Sequence, residues 1–162
     1  MAKITRIGYG QVEPNHLSAQ RTAQIYAQLP ANKEIKVLEN GMFAKYDYAN
    51  NEVNFTGEGE FMLVLNEVKL YDDLRETYKD FAMKKEDYLN GEMVPRLFKT
   101  NIGDIFTTNM IDSEIEVSVG TKLTPNNKGI LSTYTDEEMI WKVVKLYTMA
   151  DGQPAVKVQR IK

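Results

Sequence analysis

Cysteine is absent from the 162-residue chain. Its absence removes disulfide frameworks, thiolate zinc sites, iron–sulfur clusters and cysteine nucleophiles together, and leaves the redox compartment open. Histidine is nearly absent, with His16 alone between Asn15 and Leu17. One imidazole cannot build a histidine-rich metal centre, and no fixed partner is predicted that would make it a general base, so it reads as a solvated loop residue. No stretch of eighteen apolar residues occurs, and the opening Met1-Ala2-Lys3-Ile4-Thr5-Arg6 lacks the apolar core of a secretion signal. No membrane partner is expected, and the chain is expected to be made in the cytosol. Neither GK[ST] nor GxGxxG stands at a strand-to-helix junction, and no Ser occupies a G-x-S-x-G elbow. Nucleotide binding and triad hydrolysis are therefore unsupported, and no cofactor is expected. Charge of one sign is lacking too: twenty basic against twenty-three acidic residues leave a net charge of -3, so nucleic acid is not an expected partner.

What is present is an ordinary globular composition, 43% hydrophobic and 27% charged, enough for a single core without metal or disulfide. Residues 1–34 differ in texture from the rest, with Gly8, Gly10, Pro14 and Pro30 and scattered large apolar side chains, and read as an extended amino-terminal arm. Within it Ser18 is placed to cap a short helix from Ala19 to Leu29, stopped by Pro30. Its apolar stripe, Ala19, Ala23 and Tyr26, is thin, so the helix needs packing either on its own domain or on a partner.

Residues 35–162 read as one β-rich domain, a small antiparallel β-barrel or sandwich with one or two short helices. Asn40-Gly41, taken as a two-residue type I′ turn, pairs Val37 with Ala44 and Ile35 with Tyr46. Asn50-Asn51 pairs Tyr48 with Val53 and Tyr46 with Phe55, so both turns select one inner face. The same register sets Lys36 against Lys45, a mild repulsion on the outer face. Phe61-Met62-Leu63-Val64-Leu65 is apolar at every position and predicts a strand covered on both faces. Helical spacing of Leu74, Tyr78, Phe81 and Tyr88 predicts a helix between Asp72 and Asn90 with Gly91 at its end, its second half equally readable as a surface loop. Beyond Pro95, strand-like runs recur over Arg96 to Lys99, Ile105 to Thr108 and Glu114 to Val119. The last hairpin takes a three-residue loop, Ala150-Asp151-Gly152, which sets Leu146 against Val156, Val144 against Val158 and Trp141 against Ile161.

Few residues propose chemistry. Asp112, Glu114 and Glu116 alternate with Ser113, Ile115 and Val117, so on a strand all three carboxylates share a face; a solvated edge strand accounts for this better than a calcium site. Asp136-Glu137-Glu138 and Asp72-Asp73 read as turn residues or helix caps. Nine Tyr, eight Met and the single Trp141 are residue types common both in cores and at protein interfaces.

Three stretches carry a family resemblance. They are Arg6-Ile7-Gly8-Tyr9-Gly10-Gln11-Val12-Glu13-Pro14-Asn15, Phe98-Lys99-Thr100-Asn101-Ile102-Gly103-Asp104-Ile105-Phe106-Thr107-Thr108-Asn109, and the closing Ala155-Val156-Lys157-Val158-Gln159-Arg160-Ile161-Lys162. With them the chain resembles the head decoration, or capsid-stabilising, proteins encoded beside the major capsid gene of tailed bacteriophages. The resemblance implies a non-enzymatic virion protein on the capsid exterior that binds the major capsid protein, often as a homo-oligomer, and bridges its subunits. On that reading Ile7, Tyr9, Val12, Leu17 and Tyr26 are apolar anchors of the arm, and Arg6 and Arg21 pair with capsid carboxylates. Deleting residues 1–30 is then expected to abolish particle binding and leave the domain's melting nearly unchanged. A head–tail joining or tail component, and a carbohydrate-binding module using exposed Trp141 and tyrosines, are the alternative readings.

Overall fold

A computed structural model describes residues 1–12, 28–66, 82–135 and 139–162. Among them thirteen strands alternate with turns: β1 (Ala2–Lys3), β2 (Val37–Glu39), β3 (Phe43–Asp47), β4 (Glu52–Asn54), β5 (Met62–Val64), β6 (Ala82–Lys84), β7 (Leu97–Phe98), β8 (Ile105–Thr108), β9 (Glu116–Val117), β10 (Lys122–Pro125), β11 (Leu131–Thr133), β12 (Trp141–Thr148) and β13 (Pro154–Arg160). All ladders between them are antiparallel. A five-stranded sheet runs β11-β10-β12-β13-β8, a four-stranded sheet runs β4-β3-β5-β7, and β1-β9 and β2-β6 form separate pairs. Among the described residues no sheet closes on itself, so of the two expected architectures the fold agrees with the sandwich.

The four-stranded sheet is buried on both faces. Phe43 and Leu63, opposite one another on β3 and β5, point into a core shared with Phe106, Leu123, Trp141, Val143, Val156 and Val158 of the five-stranded sheet. Their neighbours Ala44, Tyr46, Met62 and Val64 point the other way, into a second core with Leu38, Met83, Met93 and Met110. This double cover explains why Met62–Val64 is apolar at every position. Phe43, Phe106 and Trp141 join the two main sheets: Trp141 meets Phe106 edge-on at 4.9 Å between centroids and lies 5.7 Å from Phe43. All three are fully buried, which stabilises the fold by about 2–3 kcal/mol per ring before aromatic geometry is counted.

Turn chemistry decided which expected registers formed. Ala150-Asp151-Gly152 closes the β12–β13 hairpin as expected, with Gly152 at φ 85° and Leu146 opposite Val156. A bulge at Val144 then shifts the ladder by one, so Val143 rather than Val144 meets Val158, and Trp141 meets Arg160 rather than Ile161. The shift turns Trp141 and Val143 to the same buried face, which strict alternation from Leu146 would have denied them.

Asn40-Gly41 does turn, but β2 and β3 do not pair: β2 pairs β6, and β3 lies between β4 and β5. Only Gly41 has positive φ, 91°, so the turn is type II, whose twist splays the flanking strands instead of joining them. Asn40 also fixes the corner by accepting the Asn66 backbone N–H at 2.8 Å. The β3–β4 connection is two residues longer than expected. Tyr46 faces Val53 and Tyr48 is 61% exposed, because the Asp47 carboxylate accepts the backbone and side-chain N–H groups of Asn50 at 3.1 and 2.9 Å and closes a four-residue loop. Over the described part of the expected Asp72–Asn90 helix the chain is instead β6 followed by one 3-10 turn at Lys85–Asp87. Pairing with β2 supplies the hydrogen bonds a helix would have made locally. The first half of that helix, and most of the expected Ala19–Leu29 helix, lie outside the described residues.

Candidate interaction surface

Over its described part the amino-terminal arm folds back on its own domain, with residues 2–12 forming a strap across the sandwich. At its start, Ala2 and Lys3 pair with Val117 and Glu116. Ile4 follows, 1% exposed, in the core with Val117 and Leu131. At its far end Val12 bridges Thr108 and is buried, while the Gln11 backbone N–H donates to Asn109 Oδ1 at 2.7 Å and the Thr108 hydroxyl donates to the Gln11 carbonyl at 2.9 Å. Gly10 is pressed into the domain: a Cβ there would stand 2.8 Å from the Asn40 carbonyl oxygen and closer still to Met110. Both the Gly10 N–H and the Arg6 guanidinium donate to the buried Glu39 carboxylate.

Between these anchors the chain bends over the surface at Gly8, φ 78°. The Ile7 N–H donates to Gln153 Oε1 at 2.6 Å, which turns the Ile7 side chain outward. Beneath it Gln153 Nε2 and Gln11 Nε2 both donate to Asp151 Oδ2, at 2.6 and 3.0 Å. Burial alone would raise the Asp151 carboxyl, but the Gln153 backbone N–H and these two amides outweigh it and hold the group below the usual carboxylate range. Tyr9, half-buried, lies under Lys84, whose ammonium is 5.0 Å from the ring centroid; the neighbouring phenol holds that ammonium above its ordinary range.

Of the expected anchors, Arg6, Ile7 and Tyr9 thus lie together on one loop. Ile7 is 74% exposed; Arg6 is committed to Glu39; and Val12 faces inward. Leu17, Arg21, Tyr26 and His16 lie outside the described residues. Sequence reasoning missed Glu39, Asn109, Asp151 and Gln153, which together hold the loop. Their signal was faint: carboxyl and amide groups next to strand residues, indistinguishable from ordinary turn formers until the strap is seen to need acceptors.

The remaining candidates stand apart from the loop. A cleft of about 730 Å³ is lined by Lys45, Glu58, Glu60, Phe61, Met139 and Arg160; in it Glu60 forms an ion pair with Lys99 at 2.8 Å and accepts from Arg160 at 3.2 Å, and the Lys45 ammonium lies 4.4 Å from the Phe61 ring centroid. Asp112 sits in a turn, accepting the Glu114 N–H at 3.1 Å and the Ser132 hydroxyl at 3.0 Å, and only Glu116 of the three alternating carboxylates is on a strand. Trp141 is fully buried, which removes the exposed indole on which a carbohydrate-binding reading depended. Among the described residues no helix is long and apolar enough to cross a membrane. No family profile, curated protein or solved structure matches the chain.

Proposed function

We propose that the protein is a structural component of a tailed-phage virion, binding the outer surface of the assembled capsid and stabilising it by bridging subunits of the major capsid protein. The observation that carries the reading is the Ile7 loop: a large apolar side chain held out to solvent by a strap that is anchored at both ends. A pre-ordered apolar anchor loses little conformational entropy on binding, so most of its buried area is available as affinity. Tyr9 and Lys84 border it with an aromatic face and a positive charge, residue chemistry suited to the rim of such a contact. The texture of the sequence, with the stretches around Arg6–Asn15 and Phe98–Asn109, supports the same assignment.

The test is cosedimentation of purified protein with undecorated shells of the encoding phage. Saturable binding is expected, and Ile7→Glu is expected to abolish it while leaving the melting temperature within about 2 °C of wild type, as for an exposed substitution. Wild-type protein left in the supernatant overturns the reading.

A further inference from the structure

The outer face of the five-stranded sheet carries lysine at four adjoining positions. Lys122 lies directly opposite Lys142, and Lys145 directly opposite Lys157. The bulge at Val144 puts Lys142 and Lys145 on one face while Trp141 and Val143 stay in the core. Lys122, Lys142 and Lys145 are exposed and Lys157 is half-buried, and none of the four forms an ion pair among the described residues. Tyr134 extends the Lys122 row, its ring centroid 5.7 Å from the Lys122 ammonium. Tyr147 follows Lys145 on the same face of β12.

Like charges placed directly opposite are destabilising, and here that arrangement occurs twice. Protection of a sheet edge is the usual reason for strand lysines, but β10, β12 and β13 are all internal strands of this sheet. We propose that this face binds single-stranded nucleic acid. The four ammonium groups follow the phosphates, and Tyr134 and Tyr147 offer rings at the two ends on which bases stack. From Tyr134 across β10 to β12 and along it to Tyr147 the track is about 25 Å long by strand spacing and rise, room for roughly four nucleotides. Protein interfaces are depleted in lysine, which favours phosphodiester over an acidic protein surface as the occupant of this face. A net charge of -3 does not oppose it, because a phosphate responds to charges within a Debye length of about 8–10 Å and not to the whole chain. The proposal is independent of the capsid reading and uses none of the strap residues.

The experiment is fluorescence anisotropy with a labelled oligo-dT of about fifteen nucleotides, titrated with the full-length protein at several salt concentrations. Binding is expected with a log–log salt slope of about -3, four contacts at roughly 0.7 each. Lys142→Glu/Lys145→Glu is expected to weaken it at least tenfold while raising the melting temperature, since each substitution converts a repulsive cross-strand pair into an attractive one. Tyr147→Ala is expected to weaken it without changing the slope. The proposal is overturned by no binding at about 20 mM salt, by a double variant that binds like wild type, or by polyglutamate competing as well as oligo-dT, which would assign the face to an acidic protein.

Discussion

Lys142 faces Lys122 across the β10–β12 ladder, and among the described residues neither lysine forms an ion pair. Replacing one member by glutamate turns the repulsion into attraction at the same register. Lys142→Glu is therefore expected to stabilise the fold by about 0.2–1 kcal/mol, a rise of about 1–3 °C in the thermal midpoint. Calorimetry at low ionic strength would measure it. In about 1 M salt the gain should shrink, because screening then acts within roughly 3 Å.

Gly129 is the point where the turn of the β10–β11 hairpin meets the four-stranded sheet. Its carbonyl accepts the Phe43 N–H at 2.8 Å, its φ is 73°, and a Cβ would lie 2.5 Å from the Phe43 carbonyl oxygen. Backbone cannot move aside as a flexible side chain can. Gly129→Ala should combine left-handed strain with loss of this inter-sheet contact and cost at least about 2 kcal/mol, read as a shift of the urea midpoint. Gly59, also left-handed but with open space around the Cβ position, should lose only the conformational part on the same substitution.

The β-rich sandwich was legible because alternation and all-apolar runs report burial directly. Met62–Val64 announced a doubly covered strand, and the Ala150-Asp151-Gly152 loop gave Leu146 opposite Val156. What failed was inference from turn dipeptides. Asn40-Gly41 is compatible with both type I′ and type II geometry, and the choice between them was made by tertiary contacts of Asn40 with Asn66, twenty-six residues away. The bulge at Val144 was invisible for the same reason, since it answers to the packing of Trp141 against Phe43 and Phe106. Whether the arm packs on its own domain or on a partner was not legible, because its polar anchors are supplied by Glu39, Asn109 and Gln153, and no local pattern in residues 1–12 records them.

Two carboxylates give the fold a pH dependence of known sign. Burial raises Asp151, but hydrogen bonds from Gln153 and Gln11 bring it below its ordinary value; Asp47 is lowered first by the side chain of Asn50 and then by its backbone N–H. A depressed folded-state pKa means stability that is complete above the unfolded value near 3.8 and is lost as pH falls through the folded value. Urea midpoints should hold between about pH 7 and 5 as far as these groups are concerned, and fall below about pH 4. Asp151→Asn should flatten part of that fall; a variant with the same acid profile as wild type would show that the Gln11 and Gln153 contacts contribute nothing.

Arg6 and Glu39 offer the sharpest test of the strap. Glu39 accepts from both Arg6 and the Gly10 N–H, and its side chain is 8% exposed, against 34% for Arg6. Arg6→Ala leaves a buried carboxylate with one neutral donor, and because the lost guanidinium was partly solvated the cost should be about 1–3 kcal/mol, below that of breaking a fully buried pair. Adding Glu39→Gln to Arg6→Ala removes the uncompensated charge while keeping an acceptor for Gly10, so the double variant should recover stability relative to Arg6→Ala alone. Deleting residues 1–12 outright should cost more than either, since Ile4 and Val12 leave the core with it, and the melting curve should shift by well over the few degrees expected for loss of a free arm. A truncated protein that melts like wild type would mean that the strap adds nothing to the core, and the pre-ordered presentation of Ile7 would then fall with it.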